Sequence, residues 1–332
     1  MGPVCQGISG LVKTPNRPPH GSFDNIRGRG QHGPTAQDHR GFVPEQGGIK
    51  MSMTDAVEPD LLDKVLEKIG LSDRPELDLE GLSTTYNAWC QSVSFDNVQK
   101  RVYMGENRSG PLPGIEPSEF LQNLVTHGTG GTCWPSSNGL WALMHGLGFD
   151  AHRVSGNMIV PVPLEEPNHG STVVFIEGQA LMVDSSILNH VPISLVEGED
   201  SSTDFPLNET QTEWVGDTWQ VHWLPGHGRD EIIMKLDGPG VGESRSMEFW
   251  AHRSDVSRGS SLFNDALYIR KSVPGGVRTI GRGALISIGA GGEVEVAELD
   301  NETRDRELIE TFGLSEEIVA RTPPDGEGFA LG

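Results

Sequence analysis

The stretch from Gly128 to Gly148 constrains this chain more than any other part of the sequence. It opens with glycines, which let the backbone turn sharply, and Cys133 follows them almost at once. Apolar residues then recur at helical spacing, which predicts a helix that begins at or just after Cys133. These apolar residues are Leu140, Trp141, Leu143, Met144 and Leu147.

A cysteine at the start of a helix is suited to act as a nucleophile, because free N–H groups and the positive end of the helix dipole stabilise the thiolate. This position predicts a reactive role for Cys133. The alternative is an ordinary buried thiol, since free cysteine is among the most buried residue types. Cys90 lies in a helical pattern without a neighbouring partner, so we predict that it is structural.

Two residues downstream of the cysteine complete a candidate catalytic set. His169 begins an alternating and then apolar run, which predicts a strand. Asp184 ends a second apolar run, and Glu177 to Gln179 between the two runs has the form of a hairpin loop. An imidazole that a carboxylate orients can hold a thiolate, and covalent acyl transfer requires such a nucleophile, base and orienting group. Other histidines compete for the role of the base: His127, His145, His152 and His190.

Several segments of the sequence resemble the arylamine N-acetyltransferases. The resemblance extends from roughly Leu61 to Val319 and implies a helical bundle, a β-barrel and a small α/β lid with a cysteine-protease-like core. The segments that carry it are Gly130 to Cys133, Asn138 to Trp141, Leu147 to Asp150, the strand that begins at His169, Val183 with Asp184, Val93 to Val98, and Ser261 through Gly283.

The resemblance implies an N-acyltransferase with ping-pong kinetics. Cys133 would take an acyl group from acyl-coenzyme A, a co-substrate rather than a tightly bound cofactor, and would pass it to an amine. His169, oriented by Asp184, would protonate the leaving thiol and accept the amine proton. Backbone N–H groups near Trp134 and Asn168 are candidates to stabilise the oxyanion. The resemblance also lets the segment around Phe95 line the substrate pocket, and core packing is the other interpretation of that residue.

The sequence departs from the family pattern at positions that bear on substrate choice. Thr129 stands where the family has arginine, Pro135 and Ser136 replace an acidic residue and a glutamine, and Asp184 is followed by two serines. We therefore expect an altered acyl and amine pocket. Three alternatives stay open: an amide synthase with a larger acyl donor, a thiol hydrolase or transglutaminase-like enzyme, and an inactive binding protein.

Composition excludes several classes of partner. The 332-residue chain carries a formal net charge of −22 at pH 7, which repels nucleic acid and anionic lipid. No apolar run approaches the roughly 18 residues of a membrane-spanning helix. The three cysteines, Cys5, Cys90 and Cys133, lie far apart and form no metal or disulfide pattern, which favours a reducing, cytoplasmic location. The expected partners are a small-molecule acyl donor and an amine acceptor, with no metal.

We predict an α+β fold that is organised in four parts. Residues 1–55 form a disordered segment because they are rich in glycine and proline and lack an apolar period. Met51 or Met53 is an alternative start of the native chain. Residues 56–148 form a helical bundle that carries the nucleophile. Residues 149–250 form an antiparallel β-barrel that carries the histidine and the aspartate, and residues 251–332 form an α/β lid.

Individual elements follow from the same patterns. Leu79 to Val98 is predicted as one helix that ends near Phe95, and Arg306 to Ile318 as a closing helix. Glu197 to Thr218 is acidic and poor in apolar residues, which predicts a surface loop. A basic cluster in the C-terminal half is either a site for coenzyme A phosphates or a solvated strand surface: Arg270, Lys271, Arg278 and Arg282.

Overall fold

The computed structural model describes residues 56–159, 164–203, 207, 209–224 and 231–325, which belong to one compact unit, Met51–Gly332. The disorder predicted for residues 1–55 lies outside the described residues. In the part that is described, no helix is both long and apolar enough to cross a bilayer.

Helices dominate the first part of the described chain and bury apolar faces against one another. In the first helix Leu62, Val65 and Leu66 are buried at a spacing that puts them on one face. The helix predicted after the glycines is present and begins at Cys133. The helices are α1 (Pro59–Lys68), α2 (Leu79–Ser92), α3 (Val98–Gly105), α4 (Pro117–His127) and α5 (Cys133–Leu147).

The prediction of one helix from Leu79 to Val98 was wrong beyond Ser92. Residues Phe95–Asp96 form strand β1, which pairs antiparallel with Ile269 and Arg270, and α3 follows it. The pairing partner lies far along the chain, so the local sequence pattern does not reveal it. Tertiary pairing therefore overrides the helical periodicity at this point.

A large antiparallel sheet forms the second part of the fold. It contains β2 (Asp150–Ile159), β3 (His169–Ile176), β4 (Gln179–Val183), β5 (Ile193–Leu195), β6 (Ser201–Thr203), β7 (Glu209–Val215), β8 (Thr218–Leu224) and β9 (Ile232–Asp237). The spatial order is β5-β4-β3-β2-β9-β8-β7-β6. Its edge strands approach each other, and the Ser201 hydroxyl on β6 donates to the Ser194 carbonyl on β5 across 2.7 Å. The sheet is thus nearly closed, which confirms the predicted antiparallel barrel.

The surface loop predicted from Glu197 to Thr218 was wrong, because β6 and β7 lie within it. The inward positions of β7 include Thr210 and Thr212, which are buried although they are not apolar. The alternation of the strand is therefore invisible to a count of apolar residues. Trp214 on β7 lies opposite Trp219 on β8, with ring centroids 4.5 Å apart.

A smaller sheet and two helices close the described chain. The sheet has the order β1-β10-β11-β12-β13 and is antiparallel throughout. Its strands after β1 are β10 (Tyr268–Val273), β11 (Gly276–Gly281), β12 (Ala284–Gly289) and β13 (Val294–Glu298). The helices between the sheets and at the end are α6 (Gly238–Val241), α7 (Met247–Ser260), α8 (Asn301–Glu310) and α9 (Glu316–Arg321).

The closing helix predicted from Arg306 to Ile318 is in fact two helices. Gly313 adopts a left-handed conformation with φ of +76° after α8, which ends a helix readily at glycine. The Ser315 hydroxyl then accepts a hydrogen bond from the Ile318 N–H and begins α9. These two local signals were present in the sequence and outweigh the apolar periodicity.

Candidate active site

Cys133 is the first residue of α5. Thr132 precedes the helix in an extended conformation, and its side chain does not cap the helix. Amides of the first helical turn lack intrahelical acceptors, and Pro135 has no N–H. The remaining donors beside the sulfur are the N–H groups of Cys133 and Trp134. They can stabilise a negative charge on the sulfur or on an oxyanion bound there.

A buried carboxylate holds the glycine turn in front of Cys133. Asp96 Oδ2 accepts hydrogen bonds from the Gly130 N–H and the Ser94 hydroxyl, both at 2.7 Å. Its Oδ1 accepts from the Val98 N–H at 3.0 Å. Burial raises the pKa of Asp96, and these hydrogen bonds oppose the shift without reversing it. Sequence reasoning missed this role of Asp96, although its segment carried the family resemblance.

His169 begins strand β3, and Asp184 directly follows strand β4, which pairs with β3. His169 Nε2 is 2.8 Å from Asp184 Oδ2, and both side chains are buried. Burial by itself lowers the pKa of His169, but the charge and hydrogen bond of Asp184, with a smaller contribution from Cys133, raise it to about 10. Burial by itself raises the pKa of Asp184, but the charge of His169 outweighs burial. The pKa of Asp184 is therefore lowered from its usual value. The pair is therefore an ion pair near neutral pH, and His169 Nδ1 is the ring nitrogen left for Cys133.

Several donors fix Asp184 in this position. Its Oδ1 accepts hydrogen bonds from the N–H groups of Ser186 at 2.8 Å and Ile187 at 3.1 Å. The hydroxyl of Tyr86, on α2, is 2.8 Å from the Asp184 carbonyl and 3.0 Å from the Asp184 N–H. Tyr86 is wholly buried, and sequence reasoning did not single it out. It links the helical part of the chain to the end of strand β4.

Hydrogen bonds also hold α5 against β3. The Ser137 hydroxyl donates to the Gly170 carbonyl at 2.7 Å, and the Thr172 hydroxyl donates to the Ser137 carbonyl at 3.1 Å. Gly170 directly follows His169 in β3, and Ser137 lies one helical turn after Cys133. These contacts fix the register between the nucleophile helix and the histidine strand. The structure thus brings Cys133, His169 and Asp184 together, although they come from three separate elements.

The sequence profile of the N-acetyltransferase family matches residues 78–319, most of the chain. This chain belongs to the N-acetyltransferase family. The match confirms the resemblance predicted from the sequence, and the matched range includes every residue of the candidate site.

Known members of the family share the fold at low sequence identity. An arylamine N-acetyltransferase from Mycolicibacterium smegmatis is 27% identical over 115 residues, which span 33% of this chain and 40% of that enzyme. A solved structure of the M. smegmatis arylamine N-acetyltransferase superposes with a TM-score of 0.67 at 20% identity, covering 80% of this chain and 98% of that one.

A further solved structure is the Mycobacterium marinum arylamine N-acetyltransferase in complex with CoA, with a TM-score of 0.65 at 17% identity. It covers 79% of this chain and 98% of that one. These likenesses confirm the predicted α+β fold with a cysteine-protease-like core.

Two of the three residues predicted to contact substrate, Asn168 and Trp134, use their side chains in contacts within the protein. The Asn168 carbonyl is 4.0 Å from the Cys133 sulfur, and the Asn168 side-chain amide is used in two hydrogen bonds to the Met158 backbone. The Trp134 ring is buried edge-on against Trp250, whose Nε1–H donates to the Trp134 carbonyl at 2.7 Å.

Phe95 is buried in an aromatic cluster near the cysteine. Its ring packs edge-on against Phe263 and Tyr268, with ring centroids 5.1 and 5.9 Å away. All three side chains belong to the core cluster that includes the partly buried Cys133. The contacts favour the core-packing interpretation of Phe95 and leave its role toward substrate a prediction.

The competing histidines make their contacts elsewhere. His127 Nδ1 is 2.9 Å from the Ser315 hydroxyl, and His145 stacks on Trp141 with ring centroids 4.9 Å apart. His152 contacts Asp150, and His190 contacts Asn87 and Ser272. His169 is therefore the histidine that the fold pairs with a buried carboxylate near Cys133. Within the described ranges, no group of three or more His, Cys, Asp and Glu residues suits a metal ion.

The members of the basic cluster near the C-terminus differ in their surroundings, and Arg282 is exposed as the solvated-surface interpretation predicts. Arg270 is buried and donates to the Ile187 carbonyl at 3.2 Å. Lys271 donates to the Phe312 carbonyl at 3.0 Å, and Arg278 pairs with Glu307 at 3.3 Å. Arg270 and Lys271 are therefore used inside the fold, which contradicts both interpretations at these two positions, whereas Arg278 is partly exposed.

Proposed function

We propose that this protein is an N-acyltransferase that carries an acyl group on Cys133. The observation that carries the proposal is the buried His169–Asp184 pair, at 2.8 Å, beside a cysteine that begins a helix. A protonated imidazole and free helical amides stabilise a thiolate, which is the reactive form of cysteine. Membership of the N-acetyltransferase family supports acetyl transfer to an amine as the reaction class.

The reaction proceeds in two balanced steps. The Cys133 thiolate attacks the carbonyl carbon of an acyl thioester, a new C–S bond forms, and the bond to the leaving sulfur breaks as His169 protonates that sulfur. An amine then attacks the acyl-cysteine, a C–N bond forms, and Cys133 leaves as a thiolate while His169 accepts the amine proton. The kinetics are therefore ping-pong. The N–H groups of Cys133 and Trp134 stabilise the oxyanion in both steps.

Coenzyme A thioesters are the proposed donors, with no tightly bound cofactor. The relative from M. marinum is described in complex with CoA, and the curated relative from M. smegmatis is an arylamine N-acetyltransferase. An arylamine or a related amine is the proposed acceptor. Thr129 and the serines after Asp184 depart from the family pattern, and they are buried or half-buried close to the site.

Intact mass spectrometry tests the first step. We expect the protein incubated with acetyl-CoA, without an amine, to gain one acetyl group on Cys133, and Cys133→Ala to gain none. Addition of an arylamine should discharge the adduct and yield the N-acetyl product. Discharge in water at the same rate without an amine would instead identify a thiol hydrolase. No adduct from short or long acyl-CoA donors would contradict the proposal and leave a binding protein.

A further inference from the structure

Lys100 is a buried cation close to Cys133 that the reaction described above does not use. It lies on α3, is 6% exposed, and donates through Nζ to the Ser257 carbonyl at 3.1 Å and the Ser257 hydroxyl at 3.2 Å. Ser257 itself donates its hydroxyl hydrogen to the Ser254 carbonyl at 2.6 Å. The Ser257 hydroxyl therefore accepts the hydrogen bond from Lys100. Because Ser257 lies on α7, this helix fixes the orientation of the lysine side chain.

The charge of Lys100 is not matched by an acid. Among the described residues no carboxylate lies within ion-pair distance of Nζ, and its two acceptors are neutral. An ammonium has three donors, so one N–H has no acceptor in the part of the chain that the structure describes. Burying an unpaired charge is costly, which favours a site whose missing acceptor is an anionic ligand.

Lys100 lines a cleft that borders the residues just before the nucleophile. The lining of this cleft also includes Gly131 and Thr132, and Thr132 directly precedes Cys133. Burial lowers the pKa of Lys100 to about 8, the negative charge of Cys133 opposes that shift, and Arg258 adds to it. The lysine is therefore near enough to Cys133 for the two charges to interact.

We propose that Lys100 selects acyl donors whose acyl group ends in a carboxylate, such as a short dicarboxylic acid joined to coenzyme A through one thioester. This inference rests on the proposed acyl transfer and names its substrate class. The free carboxylate accepts the third hydrogen of the ammonium while the thioester carbon lies at Cys133. The carboxylate does not react: the C–S bonds form and break as described for the acetyl donor.

A donor that ends in a carboxylate is favoured because it gives the buried charge of Lys100 an anionic partner. An acetyl group offers no acceptor to the ammonium, whereas a carboxylate forms a charge-assisted hydrogen bond with it. Hydrogen bonds to charged groups contribute about 1.5–3 kcal/mol, which corresponds to roughly a 10-fold to 100-fold preference. The formal net charge of −22 gives the protein no general attraction for anions, so the effect depends on this local cation.

The test compares acetyl-CoA with malonyl-CoA and succinyl-CoA as donors to Cys133. The rate of coenzyme A release and the mass of the adduct are measured for the wild type and for Lys100→Met, which keeps the apolar stem. We expect the wild type to favour a dicarboxylic donor at least 10-fold in kcat/KM, and Lys100→Met to lose that preference while retaining acetylation. Lys271→Met is the matched control, because Lys271 is a half-buried lysine that also donates to a backbone carbonyl but lies outside the cleft.

A second arm uses the wild type alone and does not depend on how the variant folds. The preference for the dicarboxylic donor should fall as the pH rises above about 8, where Lys100 loses its proton. The other charged groups around Lys100 are Cys133 on α5, Arg258 on α7 and Asp96, which lines the same cleft. Arg258 keeps its charge throughout this pH range, and every donor must reach Cys133, so a fall in the ratio above about pH 8 reports the loss of charge on Lys100.

The outcomes separate this inference from the proposed function. Equal use of acetyl and dicarboxylic donors by the wild type, or an unchanged ratio in Lys100→Met, overturns the selection by Lys100 but leaves acyl transfer intact. A ratio that falls equally in Lys271→Met also overturns it, because the effect would then be general. Absence of an adduct on Cys133 with every donor overturns the proposed function itself.

Discussion

At the scale of single residues, the decisive feature is an ion pair that is removed from water. His169 is 3% exposed and Asp184 is 0% exposed, so neither charge is solvated and each depends on the other. The N–H groups of Ser186 and Ile187 satisfy the second carboxylate oxygen. A buried pair of this kind is strongly destabilised when one partner is lost, because the other charge is left uncompensated.

The pair gives the stability of the protein a defined pH dependence. The pKa of His169 is raised from 6.5 to about 10, so its contribution to the free energy of unfolding is complete below about pH 6.5 and is lost as the pH rises towards 10. The pKa of Asp184 is lowered from 3.8, so its contribution is lost as the pH falls below that value.

We therefore expect Asp184→Asn to reduce the free energy of unfolding most between about pH 5 and 6.5. The difference from the wild type should shrink by pH 9. Urea unfolding at several pH values measures it, and Asp63→Asn, which removes an exposed carboxylate of an ion pair, is the control. A difference that does not change from pH 6 to pH 9 would contradict the ion pair.

At the scale of secondary-structure elements, the nucleophile helix α5 is held against α4 by close contact. Gly139 on α5 faces the ring of Phe120 on α4 so closely that a methyl group there would overlap the ring atoms. Phe120 is 2% exposed and packs beside Trp89, so the ring has little room to move. The position of Cys133 depends on this helix contact, because the residue begins α5.

We expect Gly139→Ala to destabilise the protein by about 1–3 kcal/mol, since overpacking forces the two helices apart. The matched control is Gly259→Ala on α7, where an added methyl group meets nothing within 4 Å. That substitution should stabilise the protein by about 0.5–1 kcal/mol, because alanine is favoured over glycine in a helix. Urea unfolding measures both variants, and equal effects of the two would refute the close packing of α5 on α4.

At the scale of the whole molecule, one arginine joins helix α3 to segments from the C-terminal part of the described chain. Arg101 on α3 is 6% exposed and donates to the carbonyls of Asp265, Pro323 and Pro324 at 2.8, 3.0 and 3.1 Å. It also pairs with Asp325 at 3.0 Å. The C-terminal segment therefore packs against α3, the helix that begins two residues after Asp96.

We expect Arg101→Met to lower the free energy of unfolding by about 3 kcal/mol or more, because it removes the buried guanidinium with its three hydrogen bonds to carbonyls and its ion pair with Asp325. Arg74→Met, which breaks an exposed pair with Asp63, should cost less than about 1 kcal/mol. Chemical unfolding of the two variants provides the measurement. A similar small loss in both would mean that Arg101 does not join these segments.

The sequence by itself determined the elements that depend on local patterns. The helix that begins at Cys133 and the hairpin that joins His169 to Asp184 follow from periodicity and turn residues, and both are present. Local patterns are reliable here because backbone geometry and apolar spacing act over a few residues. The resemblance to the family added the overall fold, which the comparisons confirm.

Only the tertiary structure decided which buried polar groups meet. Asp96 beneath the glycine turn, Tyr86 behind Asp184 and Lys100 in the cleft each depend on segments that are distant in sequence. The strand at Phe95 and the threonine-rich strand β7 escaped prediction for the same reason. A polar residue is stabilised in the interior by its partners, and the chain acquires those partners only when it folds.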